Sequence, residues 1–199
     1  MKAATWNVNS IKARLPNLLE WLDGFQPDVA MLQETKTVDE NFPRLEIEER
    51  GYKILAHGQK SYNGVAILSK HEIEDPLVGL PGDDGDEQAR YVEGTIGGIR
   101  FASIYLPNGN PIATEKFTYK LGWMKRLKAR AETLLQSAGP VVLAGDSNVV
   151  PMDEDVHDPA GWADDALCQP DSRAAYRASQ SSVAVSSARR ARAKRAVAI

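Results

Sequence analysis

Three short apolar segments, each running directly into an oxygen-bearing side chain, constrain what this 199-residue chain can fold into. Ala3-Ala4-Thr5-Trp6 leads into Asn7. Val29-Ala30-Met31-Leu32-Gln33 leads into Glu34. Val141-Val142-Leu143-Ala144-Gly145 leads into Asp146, with Asn148 two residues on. Apolar runs of this length, bounded by turn signals, fit buried strands. Strands of that kind bring their ends to one edge of a sheet, where carboxylates and amides can share a hard cation.

The rest of the pattern is read around those strands. Apolar, β-branched and aromatic runs predict strands at 2–6, 28–33, 52–56, 63–69, 91–96, 99–105 and 141–145, separated by Gly, Asp and Asn turns. Pro16 suits the first turn of a helix, and Leu18, Leu19, Leu22 and Phe25 follow at helical spacing up to Pro27. That leaves 9–15 as a loop carrying Lys12 and Arg14. A long helix is predicted over 115–137, with Phe117, Leu121, Met124, Ala131, Leu134 and Leu135 inward and Gly139-Pro140 closing it. Beyond Pro151 the chain reads as loop, with a helix at 171–177.

Composition sets the frame. At 43% apolar residues the chain suits one domain with a core of its own. Its apolar runs are too short to span a bilayer, and the N-terminus shows no basic and apolar leader, so a cytoplasmic protein that binds no membrane is expected. A single cysteine, Cys168, leaves no internal disulfide framework and fits a reducing compartment. Charge is unevenly spread. From Ser172 onward there are 7 Lys/Arg and no acid, leaving 17 basic and 27 acidic residues before it. An acidic body argues against nonspecific nucleic-acid binding, but not against a locally basic groove. From Ala178 the chain holds just Ala, Ser, Arg, Val, Gln, Lys and a final Ile. Such a segment buries too little to offset its ordering entropy, so 177–199 is expected to be a disordered basic tail.

Taken singly, each candidate site residue has a plain alternative. Glu34 could simply pair with Lys36 at the surface. Asp146 and Asn148 could simply favour the turn they occupy. Asn7 after a third strand makes the coincidence harder to dismiss, and oxygen donors without a Cys/His cluster select Mg2+ or Mn2+ over zinc. Tyr105, before Leu106-Pro107-Asn108-Gly109-Asn110, is either a strand-end aromatic or a phenol able to donate a hydrogen bond or ionise. His57, His71 and His157 show no ligand spacing.

In their order along the chain, these pieces resemble the exonuclease III branch of the endonuclease/exonuclease/phosphatase superfamily. The matching stretches are Thr5-Trp6-Asn7-Val8-Asn9-Ser10, Leu32-Gln33-Glu34-Thr35-Lys36 and Asn63-Gly64-Val65-Ala66-Ile67-Leu68-Ser69. Asp86-Glu87-Gln88-Ala89-Arg90, Tyr105-Leu106-Pro107-Asn108-Gly109, Gly145-Asp146-Ser147-Asn148-Val149 and Asp155-Val156-His157-Asp158-Pro159 also match. The resemblance covers residues 1 to about 176. It implies a mixed α/β fold, a four-layer αββα β-sandwich of the deoxyribonuclease I-like type. It also implies a DNA-repair phosphodiesterase acting on double-stranded DNA at abasic sites or 3′ ends. Asn7, Glu34, Asp146 and Asn148 would stand at the metal and Tyr105 near the scissile phosphate. Asp146 would activate the attacking water, and Asn148 would steady the transition state. Lys12, Arg14, Arg90 and Asn108 would meet DNA.

The chain departs from that pattern in two ways. Ser147 stands where the family commonly has an aromatic. The Ser-Asp-His triplet that closes the family's sequences does not occur here. The resemblance therefore implies a C-terminally truncated member with its second half largely missing. The expectation is one sheet with its outer helices, strands 63–68 and 99–105 facing water, and self-association in place of an intact member's monomer. A non-catalytic remnant binding metal or DNA weakly, and a phosphodiesterase with a non-DNA substrate, remain as alternatives.

Overall fold

The computed structural model describes residues 1–137 and 139–181, which divide into two compact units. The first comprises Met1–Tyr105 and Gly139–Asp146. It contains β1 (Ala3–Asn7), α1 (Ile11–Phe25), β2 (Val29–Gln33), α2 (Arg44–Glu48), β3 (Lys53–His57), β4 (Val65–Ser69), β5 (Glu74–Val78), β6 (Tyr91–Ile96), β7 (Ile99–Tyr105) and β8 (Val141–Asp146).

These strands form two four-stranded sheets, ordered β1-β2-β4-β3 and β5-β6-β7-β8. The pairs β1–β2 and β7–β8 are parallel and the others antiparallel. Alternation along each strand sends side chains to opposite faces. Val29, Met31, Val65 and Ile67 of the first sheet pack with Val92, Ile96, Phe101 and Ala144 of the second in one buried cluster. The intervening Ala30, Leu32, Ala66 and Leu68 face the other way, onto Ile11, Leu18 and Leu22 of α1 and Ile47 of α2. This double burial is why β2 and β4 read as unbroken apolar runs.

The expectation of a single sheet is thereby corrected. β4 is buried along its whole length and β7 through Phe101–Ile104, because the hairpin strands β5, β6 and β7, joined by β8, make a second sheet for the first to pack on.

Two further local expectations change. Residues 11–15 are helical, not loop: the Ser10 hydroxyl accepts from the Ala13 N–H to cap α1, and Pro16 lies inside the helix. Ile11, fully buried, anchors that first turn. No apolar run announces β5, an exposed edge strand with Pro76 and a register irregularity, where Pro is tolerated.

The second unit comprises Leu106–Ala138 and residues from Ser147 on. It holds α3 (Glu115–Leu135) and α4 (Pro170–Ser181). Thr114 caps α3 through its hydroxyl. The buried stripe of α3 is Lys120, Trp123, Met124, Leu127, Ala131 and Leu134, whereas Leu135 is exposed and Phe117 and Leu121 are half-buried. α4 continues through Ser181, so the expected tail does not begin at 177; its remainder, 182–199, lies outside the described residues. Among the described residues, no helix is long and apolar enough to cross a membrane.

Candidate active site

The strand ends that define the sequence converge in the first unit. Asn7 closes β1, Glu34 follows β2, Tyr105 closes β7 and Asp146 closes β8, with Tyr105 and Asp146 register partners across the parallel pair. Gly145 makes that pairing possible. A Cβ there would stand 1.9 Å from the Ile104 carbonyl oxygen, so no side chain fits directly before Asp146.

The loop bearing Glu34 is fixed by backbone bonds that continue the sheet. Val8 donates to Gln33, Ser10 to Glu34 and Ile11 to Thr35, while Thr35 and Lys36 donate to the carbonyls of Gly64 and Asn63. Glu34 itself has φ 54°, a left-handed conformation uncommon for Glu and of the kind concentrated at functional sites.

Asn7 is the bridge. Its Nδ2 donates to Glu34 Oε1 at 2.8 Å and to Asp146 Oδ2 at 2.9 Å, while its Oδ1 accepts from the Asn9 N–H at 3.1 Å. One amide thus touches a carboxylate from each sheet. Lys36 Nζ pairs with Glu34 Oε2 at 2.8 Å, so the ion pair considered from sequence is present together with the Asn7 hydrogen bond to the other carboxylate oxygen. Burial opposes the charge on Glu34, but hydrogen bonds from Asn7, Lys36 and Tyr105 outweigh it and hold its pKa below the ordinary value.

Tyr105 responds to the same neighbours in the opposite sense. Burial, followed by the charge and hydrogen bond of Glu34, pushes its phenol up to about 12, with the charge of Asp146 adding to the effect and that of Arg90 opposing it. Of the two roles open to it from sequence, the phenol therefore keeps its proton at neutral pH and acts as a donor. Arg90 sits over the Tyr105 ring, 4.9 Å from its centroid, and its side chain donates to Gln88 Oε1 at 2.7 Å and to the Tyr105 carbonyl at 3.3 Å. It packs on and orients Tyr105. Lys12 and Arg14 are exposed on the opening turns of α1.

The remaining candidates, Asn108 and Asn148, belong to the second unit. Asn148 Nδ2 donates to the Leu106 carbonyl at 2.8 Å, and Asn108 Oδ1 accepts from the Asn110 N–H at 3.1 Å.

A buried polar pair that sequence reasoning passed over lies just behind the site. Gln33 Nε2 donates to the Met31 carbonyl and to Ser103 Oγ, each at 3.1 Å, and Ser103 Oγ donates to the Leu32 carbonyl at 2.9 Å. Gln33 belongs to the first sheet and Ser103 to the second, so the pair bolts the sheets together one residue before Glu34 and two before Tyr105. The available signal was a glutamine at the end of an otherwise apolar strand.

As a donor set the site consists of carboxylate and amide oxygens, which suits a hard divalent cation such as Mg2+. Among the described residues no group of three or more His, Cys, Asp or Glu that could hold a metal ion gathers, so the donors here are two carboxylates with amide oxygens.

Comparison with known proteins identifies the family. The family model for the endonuclease/exonuclease/phosphatase family matches residues 4–192, beyond the limit of about 176 suggested by the motifs.

This chain belongs to that family.

It is 35% identical over 161 residues to exodeoxyribonuclease III of Haemophilus influenzae, a match covering 78% of this chain and 60% of that protein. An AP endonuclease from Archaeoglobus fulgidus superposes with a TM-score of 0.86 at 37% identity, over 91% of this chain and 70% of the other. A 3′–5′ exonuclease from Neisseria meningitidis superposes with a TM-score of 0.88 at 35% identity, over 92% and 71%. The chain thus spans about 60% of the length of the Haemophilus relative. The mixed α/β fold with two sheets matches the deoxyribonuclease I-like repair nucleases.

Proposed function

We propose that this chain carries the reacting edge of a metal-dependent DNA-repair phosphodiesterase of the exodeoxyribonuclease III kind, which trims 3′ ends and incises at abasic sites. The observation that best supports this reading is the Asn7 bridge between Glu34 and Asp146, which joins one carboxylate from each sheet beside a protonated Tyr105. Glu34, Asp146 and Asn7, at the strand ends of the first unit, would hold Mg2+ or Mn2+. When bound, the ion neutralises phosphate charge and polarises the P–O bond. Asp146 orients the attacking water and takes its proton. Tyr105 donates a hydrogen bond toward a phosphate oxygen, and the Asn148 amide steadies the charge that develops there. Lys12 and Arg14 attract the DNA backbone, and Arg90 holds Tyr105 in place.

Removal of a 3′-phosphate is a second reading. A Neisseria structure with a TM-score of 0.88 is described as a 3′ phosphatase bound to a product DNA hairpin. The same groups serve both reactions, which differ in the leaving group.

Single-turnover assays on an abasic duplex and on a 3′-phosphorylated duplex test both readings. Mg2+-dependent hydrolysis is expected, and Asp146→Asn should slow it by a factor of about 10^3. Equal rates for the parent and Asp146→Asn would refute the assignment. Metal binding without turnover would identify a non-catalytic remnant. Hydrolysis of a small phosphodiester but not of DNA would point to a different substrate.

A further inference from the structure

Lys120 lies in the buried stripe of α3 with no exposed surface, an unusual place for a charge unless hydrogen-bond partners are supplied. Its Nζ donates to the carbonyls of Asn108, at 3.0 Å, and Asn148. Those carbonyls belong to two separate segments of the second unit, 106–110 and 147–150, where regular strand pairing supplies no donor. An ammonium with three N–H groups can serve both at once from one fixed point on a helix.

Neighbouring groups reinforce the arrangement. The Asn148 side chain reaches back to the Leu106 carbonyl at 2.8 Å, tying the two segments together a second time. Asn148 has φ 45°, a left-handed conformation that asparagine tolerates better than most residues. Gly109 has φ 91°, and a Cβ there would stand 2.6 Å from Lys120 Cδ and 3.3 Å from Ala166 Cβ, so the lysine stem occupies the space a side chain would need. The outer part of the first segment has its own anchor. Asn110 Nδ2 donates to Asp165 Oδ2 at 3.0 Å, and Asn110 Oδ1 accepts from the Ala166 N–H at 2.9 Å. Lys120 thus holds the inner part, next to Asn148.

We propose that Lys120 is a positioning residue, a buried amine whose bonds to the Asn108 and Asn148 carbonyls hold the two segments together and set Asn148 in place to act on the phosphodiester. This role rests on the reading of Asn148 as a group acting on the phosphate. It gives the two asparagine loops a shared support that neither sheet supplies.

The test pairs a rate with a structural signature. In the full chain, Lys120→Met should shift or broaden the amide NMR signals of 106–110 and 147–150, including the Asn148 side-chain amide, and leave those of β2 and β4 in place. Lys120→Met should slow single-turnover cleavage of an abasic duplex with Mg2+ by about tenfold or more, but by less than about threefold when Asn148 is already alanine. Lys120→Arg, which keeps a cationic donor, should recover part of the loss. Unmoved loop signals overturn the proposal, as does an equal slowing with and without Asn148. If the parent shows no turnover, the proposed function fails, and the loop signals still decide the role of Lys120. If Lys120→Met does not fold, Gly109→Ala takes its place, because it crowds Lys120 Cδ without removing the charge. A response at 147–150 then supports the proposal and silent 147–150 signals overturn it; the 106–110 signals, which the substitution perturbs through the Gly109 φ of 91°, are not counted.

Discussion

The strand ends of the first unit and the loops of the second hold their polar side chains in different ways. Glu34, Tyr105 and Asp146 are placed by sheet register and by backbone bonds that extend the ladders beyond the strands. Asn108 and Asn148 sit in segments outside strands and helices, where the buried Lys120 makes up for the missing ladder. Substitution near the sheet ends should therefore damage the fold and the site together. Substitution in the loops should move the site and spare the sheets.

The sharpest break is expected at Gly145. Gly145→Ala forces a Cβ onto the Ile104 carbonyl and should cost about 3 kcal/mol or more of unfolding free energy by denaturant titration. A cost within about 0.5 kcal/mol would mean that register does not dictate the position of Asp146.

Gln33→Leu comes next. It removes the inter-sheet bolt and strips Ser103 Oγ of a partner, which should cost about 2 kcal/mol and weaken metal binding in parallel. A loss of stability with unchanged metal affinity would separate the bolt from the site.

The pH response is smaller and has a definite sign. The pKa of Glu34 is depressed in the folded chain, so its contribution is present above the ordinary value of 4.5 and is lost as pH falls through the lower folded value. Glu34→Gln should make the thermal midpoint less sensitive to acid in that window, and an unchanged acid limb would contradict it. For Tyr105, raised from 10.0 to about 12, the contribution is present below pH 10 and is lost as pH rises through about 12. Tyr105→Phe should remove one late phenolate transition from the ultraviolet spectrum, and an unchanged spectrum above pH 10 would contradict it.

The mildest change is expected on α1. The pair Lys12→Ala and Arg14→Ala should leave stability within about 0.5 kcal/mol and lower the salt dependence of DNA binding by about one phosphate contact per residue. An unchanged salt slope would remove these residues from the DNA surface.

Much of the first unit was legible in the sequence because its central strands β2 and β4 are buried on both faces and several strands end in chemistry-bearing residues. β1, β2 and β8 announce themselves as short runs, and Asn7, Glu34 and Asp146 follow from where those runs stop. What escaped was structure without an apolar pattern. β5 is an exposed edge strand broken by Pro76, and α2 spans just five residues. α1 begins five residues before Pro16, with a serine cap and the buried Ile11 outweighing a proline inside the helix. In α3 the inward stripe includes Lys120, which no hydrophobic count selects, and Trp123 one position from the expected Met124. The second sheet was missed because counting strands does not reveal how they divide. Gln33 and Ser103 were missed because their partner is in the other sheet.

The central claim is that strand ends from two sheets make one cation site. Titration of Mn2+ into the parent chain, Glu34→Ala and Asp146→Asn, followed by electron paramagnetic resonance, tests it most directly. A site is expected in the parent that each substitution weakens by about tenfold or more while the fold is retained by circular dichroism. Folded variants that bind Mn2+ as tightly as the parent would contradict it.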